Sequence, residues 1–211
     1  MPEFAVPILS IEVVTHDVKA YRVQKPSGYR FQPGQATEVA VDKPGWETET
    51  RPFTFTSRGH DEALEFTIKS YRGHDGVTKL LDTLAVGDRL VLHDVWGALT
   101  YRGSGLFLAG GAGITPFLAI LRALGDQHAV TGNRLLYSNK TPADVIREAE
   151  LRSLLKSDFV SRIGMIDEAL LTEELKRDPE HIYLCGPDPM MDALSAVIRQ
   201  AGFGDRLIVE D

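Results

Sequence analysis

Arg51-Pro52-Phe53-Thr54-Phe55-Thr56-Ser57 gathers an arginine, two aromatic rings and several hydroxyls on a segment that reads as extended. Alternation sends Arg51, Phe53 and Phe55 to one face and Pro52, Thr54 and Thr56 to the other. A guanidinium holds a diphosphate bidentately, an aromatic ring covers a flat heterocycle, and a hydroxyl bonds a ring nitrogen. Together these residue types suit a large, planar, phosphate-bearing ligand. An edge strand with one solvated arginine accounts for them equally well, and two glycine–proline motifs further along decide between the readings.

The first is Gly110-Gly111-Ala112-Gly113-Ile114-Thr115-Pro116, directly after the apolar run Leu106-Phe107-Leu108-Ala109. Thr115 is the predicted N-cap of a helix and Pro116 its first residue. The glycines permit a tight turn and close approach of a phosphate, so a dinucleotide diphosphate would lie on the helix N-terminus. The pattern is G-x-G-x-x-P rather than the usual G-x-G-x-x-G. Ser138-Asn139-Lys140 stands at the end of the next strand, where a carboxylate would select a ribose 2′-hydroxyl. Hydroxyl and lysine tolerate a 2′-phosphate, so NADPH is admitted alongside NADH.

The second motif, Cys185-Gly186-Pro187-Asp188-Pro189-Met190-Met191, repeats strand, turn and helix. Asp188 is a candidate cap and Pro189 a candidate first helical residue. Cys185 falls at the carboxyl end of a strand, beside the crevice. A lone cysteine so placed is more often a small buried hydrophobe than a catalyst.

Elements that position these motifs follow from periodicity. The first half reads as short strands at 8–14, 18–23, 36–41, 51–57, 64–71, 89–93 and 98–101, which suggests a small closed antiparallel β-barrel. Val77, Leu80, Leu81 and Leu84 recur at helical spacing after Asp75-Gly76, and that helix N-terminus is a candidate anion site. Beyond Arg102-Gly103-Ser104-Gly105 the pattern becomes strand–helix alternation. Strands are expected at 106–109, 134–138, 158–163, 181–185 and 206–209, with helices ending near 124, over 144–155, from an Asp167 cap to 176, and over 190–201. The expected architecture is therefore a β-barrel domain over residues 1–102 and a parallel five-stranded α/β domain over 103–211.

Composition narrows the function classes. The 211 residues suffice for one large or two small domains, and 43% hydrophobic with 25% charged content is that of a soluble globular chain. A net charge of −7 without a basic block argues against nucleic acid. Cys185, the one cysteine, excludes an internal disulfide and a cysteine-held zinc or iron–sulfur site. The histidines are scattered, so no metal site is expected. No window approaches the ~18 apolar residues of a membrane span, and Met1–Pro7 lacks the features of a signal or transit peptide. A cytoplasmic location is expected.

R-P-F-T, G-G-A-G-I-T-P and C-G-P-D-P-M-M, in that order, resemble the ferredoxin–NADP⁺ reductase family, most closely its compact stand-alone flavodoxin/ferredoxin reductase-like members. The resemblance implies a flavin-binding barrel followed by an NAD(P)-binding domain, with FAD favoured over FMN and NADPH or NADH as electron donor. It implies that Arg51 and Pro52 lie at the cofactor phosphates, Phe53 beside the isoalloxazine and Thr54 near flavin N5. The backbone of Thr67, Ile68 and Lys69 would meet the pyrimidine edge, and Gly76, Val77 and Thr78 would form a second phosphate turn. Gly111 and Gly113 would meet the dinucleotide phosphates, with Ser138 and Lys140 setting coenzyme choice. Thr115 would lie between flavin and nicotinamide. Cys185, with Gly186 and Pro187, would lie near the nicotinamide C4, and Glu210 would approach the site of hydride transfer.

Three departures accompany it. Phe53 replaces a tyrosine, the segment Val209-Glu210-Asp211 carries no aromatic to stack on the flavin, and the stretch 158–167 is short, with Met165 in place of an arginine. The implied activity is hydride transfer from nicotinamide to flavin, then electron release to a separate acceptor: a flavodoxin, a ferredoxin or an oxygenase component. Docking an acidic acceptor would draw on Arg22, Lys25, Arg30, Arg72 and Lys79, which also read as ordinary solvated surface. The alternatives left open are a non-catalytic flavin-binding sensor or assembly module with impaired NAD(P)H binding, prompted by the short stretch, and a free-flavin reductase.

Overall fold

A computed structural model describes residues 3–71, 73, 76–97 and 99–209. The chain divides into two compact units between Thr100 and Tyr101.

The first unit is built from β1 (Phe4–Thr15), β2 (Val18–Gln24), β3 (Ala36–Val41), β4 (Arg51–Thr54), β5 (Ala63–Lys69), the helix α1 (Val77–Leu81) and β6 (Arg89–Trp96). The strands form one sheet in the order β4-β3-β6-β1-β2-β5. β1 serves two neighbours: Phe4–Pro7 pair antiparallel with β6, and the residues from Ile8 to Thr15 pair with β2. Tyr21, Phe55, Leu64, Phe66, Leu90 and Leu92 are fully buried in the core of this unit. Phe55 stacks on Phe31 at 4.2 Å between centroids and lies 5.2 Å from Phe66.

The expected closed barrel is instead an open sheet. Among the described residues no ladder joins its two end strands; an isolated bridge, Phe55 to Phe66, links the segment after β4 to β5. The expected strand over 51–57 accordingly ends at Thr54. Phe55 turns into the core, and the Thr56 N–H donates to the Glu65 carbonyl at 2.8 Å. The strand expected over 98–101 does not form at Leu99–Tyr101, and Ala98 lies outside the described residues. Gly97, with φ +120°, breaks the chain away from β6 there.

The second unit comprises β7 (Gly105–Gly110), α2 (Thr115–Asp126), β8 (Arg134–Asn139), α3 (Glu148–Leu155), β9 (Phe159–Ile163), α4 (Glu168–Leu175), β10 (His181–Cys185), α5 (Asp188–Gln200) and β11 (Leu207–Val209). The sheet is parallel throughout, ordered β11-β10-β7-β8-β9. β7 is buried along its whole length, as an apolar central parallel strand must be. The order reverses beside β7, so the crevice between the carboxyl ends of β7 and β10 is the switch point where such sheets bind ligands.

Local signals held unevenly. Asp167 caps α4 as expected, accepting from the Leu170 N–H at 2.9 Å. Thr115 is not a cap. Gly111–Ile114 form a 3₁₀ turn that runs straight into α2, so Ile114 takes the cap position and Thr115 and Pro116 fall within the first turn. Similarly, Pro187 is the N-cap of α5, and Asp188 and Pro189 lie inside it. α2 continues through Gly125 to Asp126. α3 starts at Glu148 rather than residue 144, because Asp144 closes a separate turn by accepting from the N–H and hydroxyl of Thr141 at 2.9 and 2.8 Å. The short stretch before Asp167 is no truncation of the sheet: β9 pairs with β8 at every residue.

Candidate cofactor-binding sites

In the first unit, the segment after β4 meets β5 through the Phe55–Phe66 bridge and the bond from the Thr56 N–H to the Glu65 carbonyl, while β4 itself forms no ladder with β5. Each is an edge strand, so half of its backbone N–H and C=O groups point away from its one ladder partner. The open edges run along Arg51–Thr54 on one side and Thr67–Lys69 on the other. Pro52 lacks an N–H and is tolerated at an edge for that reason. Arg51 and Pro52 are exposed, and Thr54 is half-buried. Phe53 is half-buried with its ring packed on the core, opposite Thr37 of β3. The Arg51 guanidinium donates to the Thr50 carbonyl at 2.6 Å, a local contact that leaves most of its donors to the rim of the slot.

At the closed end of the slot the hydroxyls of Thr56 and Thr67 lie 3.1 Å apart, both buried. Ile68 points into the core. The Lys69 ammonium is held 2.9 Å from Asp17. Burial raises the Asp17 carboxyl, but hydrogen bonds from Lys69 and Thr15 outweigh it and hold the group below the usual aspartate range. α1 begins after Gly76 without a side-chain cap; Val77 is buried and Thr78 half-buried. The first helical bonds are those of Lys79 and Leu80 to the Gly76 carbonyl. A Cβ built on Gly76 would meet nothing within 4 Å, so a phosphate can approach the first amides of α1. Asp75 and Arg72 lie outside the described residues. An unpaired backbone slot rimmed by a guanidinium and threonine hydroxyls fits FAD.

In the second unit the two glycine turns interlock at the switch point. A methyl on Gly113 would overlap the Cys185 carbonyl, and one on Gly110 would overlap the Met190 thioether. Gly186 in turn lies against Gly110, its added Cβ 3.3 Å from the Gly110 Cα. Gly111 differs: φ is +52° and a Cβ built on it would meet nothing within 4 Å. The glycines thus divide the work. Gly110, Gly113 and Gly186 let two turns pack, while Gly111 leaves the open surface a phosphate needs. The dinucleotide fits this crevice. Thr115 and Cys185 are half-buried at its edge, Pro187 is exposed beside it, and Glu210 lies outside the described residues.

Ser138 donates its hydroxyl to the Gly164 carbonyl at 2.8 Å and so is partly spent, while Lys140 is exposed. Sequence reasoning missed Arg162. It pairs in register with Ser138 across β8 and β9 and is held loosely, 3.4 Å from the Met165 carbonyl and 3.6 Å from Asp167. Its position depends on strand register, which no local pattern gives.

An open antiparallel sheet with a split edge, followed by a parallel sheet with a glycine turn at its switch point, defines a two-domain flavin- and dinucleotide-binding oxidoreductase fold. Residues 3–89 match the family described as FAD-binding domain, and residues 107–159 the family described as oxidoreductase NAD-binding domain. The reductase component of propane 2-monooxygenase from Rhodococcus jostii is 29% identical over 92% of this chain and 59% of its own. NADH-cytochrome b5 reductase 1 of Aspergillus oryzae is 26% identical over 90% of this chain and 76% of its own. Among solved structures, a ferredoxin NADP⁺ reductase from Neisseria gonorrhoeae with bound FAD and NADP shares the fold, with a TM-score of 0.84 at 18% identity over 99% of this chain and 98% of that one. The chain thus carries a FAD-binding and an oxidoreductase NAD-binding family domain in succession, in a fold shared with that ferredoxin NADP⁺ reductase. It spans about three fifths of the length of the propane 2-monooxygenase reductase components it matches.

Proposed function

We propose that this chain is a flavin-dependent NAD(P)H reductase that accepts a hydride from a nicotinamide dinucleotide and delivers electrons to a separate redox protein. The observation that carries this reading is the unpaired slot between Arg51–Thr54 and Thr67–Lys69, in a chain whose second unit opens Gly111 at a switch point.

Bound FAD supplies the redox chemistry, taking electrons in pairs and releasing them singly. The protein's share is binding and orientation. Arg51 and the first amides of α1 hold the phosphates, charge-assisted bonds being the strong ones. Phe53 supports the ring system from the core side, and Thr54 offers a hydroxyl at the slot's edge. The Thr67–Lys69 backbone reads the ring's polar edge, with the Lys69 side chain held by Asp17. In the second unit, the Gly111 turn and the start of α2 hold the diphosphate, Gly186 and Pro187 line the crevice, and Cys185 borders it. Arg162, Ser138 and Lys140 favour NADPH, since a loosely held guanidinium is ready for a 2′-phosphate.

The acceptor class we favour is an oxygenase component, on the strength of the propane 2-monooxygenase reductase components among the relatives. No helix among the described residues is long and apolar enough to cross a membrane. Purified protein is expected to be yellow, to keep its flavin through gel filtration, and to bleach with NADPH faster than with NADH. Loss of flavin on the column would favour the free-flavin reductase instead, and a bound flavin that neither nicotinamide reduces would return the reading to a non-catalytic module.

A further inference from the structure

The Tyr137 hydroxyl is buried in the second unit and has a use that the cofactor reading leaves unassigned. Tyr137 is 0% exposed, on β8 two residues before its carboxyl end. Its hydroxyl donates to the Gly111 carbonyl at 2.8 Å and accepts from the Ile146 N–H at 3.4 Å. One phenol therefore ties the glycine turn after β7 to the segment before α3. Asn139 shares the Tyr137 face of β8 by alternation. It is 5% exposed, and neither polar atom of its amide has a hydrogen-bond partner.

The consequence follows from peptide geometry. The carbonyl of Gly111 and the N–H of Ala112 belong to one planar trans peptide and point in opposite directions. With the carbonyl drawn toward Tyr137, the Ala112 N–H is turned away from it. Ala112 lies in the first turn of its 3₁₀ element, where the element itself supplies no acceptor for that N–H. Gly111, at φ +52° with open space over its Cα, has no side chain to fix the peptide. The i→i+3 pattern of the 3₁₀ element also engages the Gly111 carbonyl, and the phenol adds a second bond that fixes its direction.

We propose that Tyr137 is the positioning residue of the dinucleotide site: by holding the Gly111 carbonyl it aims the Ala112 N–H at the diphosphate. The inference rests on the reading that a dinucleotide occupies the Gly111 turn. The Asn139 amide flanks the same hydroxyl, whose proton is given to the Gly111 carbonyl while its oxygen accepts from the Ile146 N–H.

Tyr137→Phe removes the hydroxyl and keeps the ring and its packing. In the full chain loaded with FAD, the dissociation constant for NADP⁺ by calorimetry is expected to rise about tenfold, the loss of one hydrogen bond to a charged group. KM for NADPH should rise in step while kcat stays within about twofold, the mark of lost uniform binding. Flavin content should match the wild type, and the melting temperature should fall by only a few degrees, the cost of leaving the buried Ile146 N–H without its acceptor. The second measurement needs no variant. In an amide correlation spectrum of the wild-type protein titrated with NADP⁺, the Ala112 resonance should be among those that move most. Unchanged NADP⁺ affinity in Tyr137→Phe, or an Ala112 amide that does not move at saturation, would overturn the inference while leaving the reductase reading intact. A wild-type protein that binds neither NADP⁺ nor NADH would overturn the reading itself, and this inference with it.

Discussion

Gly113 lies directly against the backbone of Cys185: a methyl group built on it would overlap the Cys185 carbonyl and come within 2.7 Å of the Gly186 Cα. The obstacle is backbone, which cannot rotate out of the way as a side chain would. Gly113→Ala is therefore expected to lower stability by at least ~1–3 kcal/mol, seen as an earlier thermal transition. Cys185→Ala leaves the carbonyl in place and should melt close to the wild type while slowing reduction by NADPH. Equal melting of the two variants would mean that the two turns do not interlock.

Arg51 is exposed and its recorded hydrogen bond is to the neighbouring Thr50 carbonyl, so its removal should spare the fold. Arg51→Ala is expected to weaken FAD binding by about ten- to a hundredfold, as loss of charge-assisted bonds does. Riboflavin, which has no phosphate, should bind both proteins equally. Fluorescence titration of the apoprotein with the two flavins checks this, and an equal loss for both would remove Arg51 from the phosphates.

The order of the elements, the parallel second sheet and the extended Arg51 segment were legible because alternation and glycine turns are local signals. Closure of the barrel was not. Whether an end strand pairs around the sheet is a tertiary matter: here Phe55 bridges to Phe66 while β4 itself forms no ladder with β5. The capping role given to Thr115 failed for a nearer reason: the Gly111–Ile114 turn already has helical sense, leaving no extended residue to cap. The short stretch before Asp167 suggested a clipped strand, yet five residues suffice for β9 to pair fully with β8. Arg162 and Tyr137 became visible only through register and a hydrogen bond between distant segments.

Arg162 supplies a test of coenzyme choice. Arg162→Ala should raise the dissociation constant for NADPH by about tenfold, within the range for a single charge-assisted contact at an exposed site. That for NADH should be unchanged, so the preference narrows. Calorimetry with both dinucleotides measures it; a parallel loss for NADH would place Arg162 away from the 2′-phosphate.

Asp17 links stability to pH. Its carboxyl is held below the ordinary aspartate value, so the Lys69 pair contributes stability that is fully present above the unfolded pKa, about 3.8, and fades as pH falls through the lower folded value. Asp17→Asn should therefore lower the melting temperature at pH 7 and lose that difference in strong acid. A gap that persists unchanged at pH 2–3 would contradict the pairing.

The most direct measurement is anaerobic rapid mixing of the FAD-loaded protein with NADPH, followed at the flavin absorbance band near 450 nm, an approximate position set by the cofactor. The account expects rapid bleaching, and reappearance of the colour when an electron acceptor is added. A flavin that stays oxidised in the presence of saturating NADPH and NADH would contradict it.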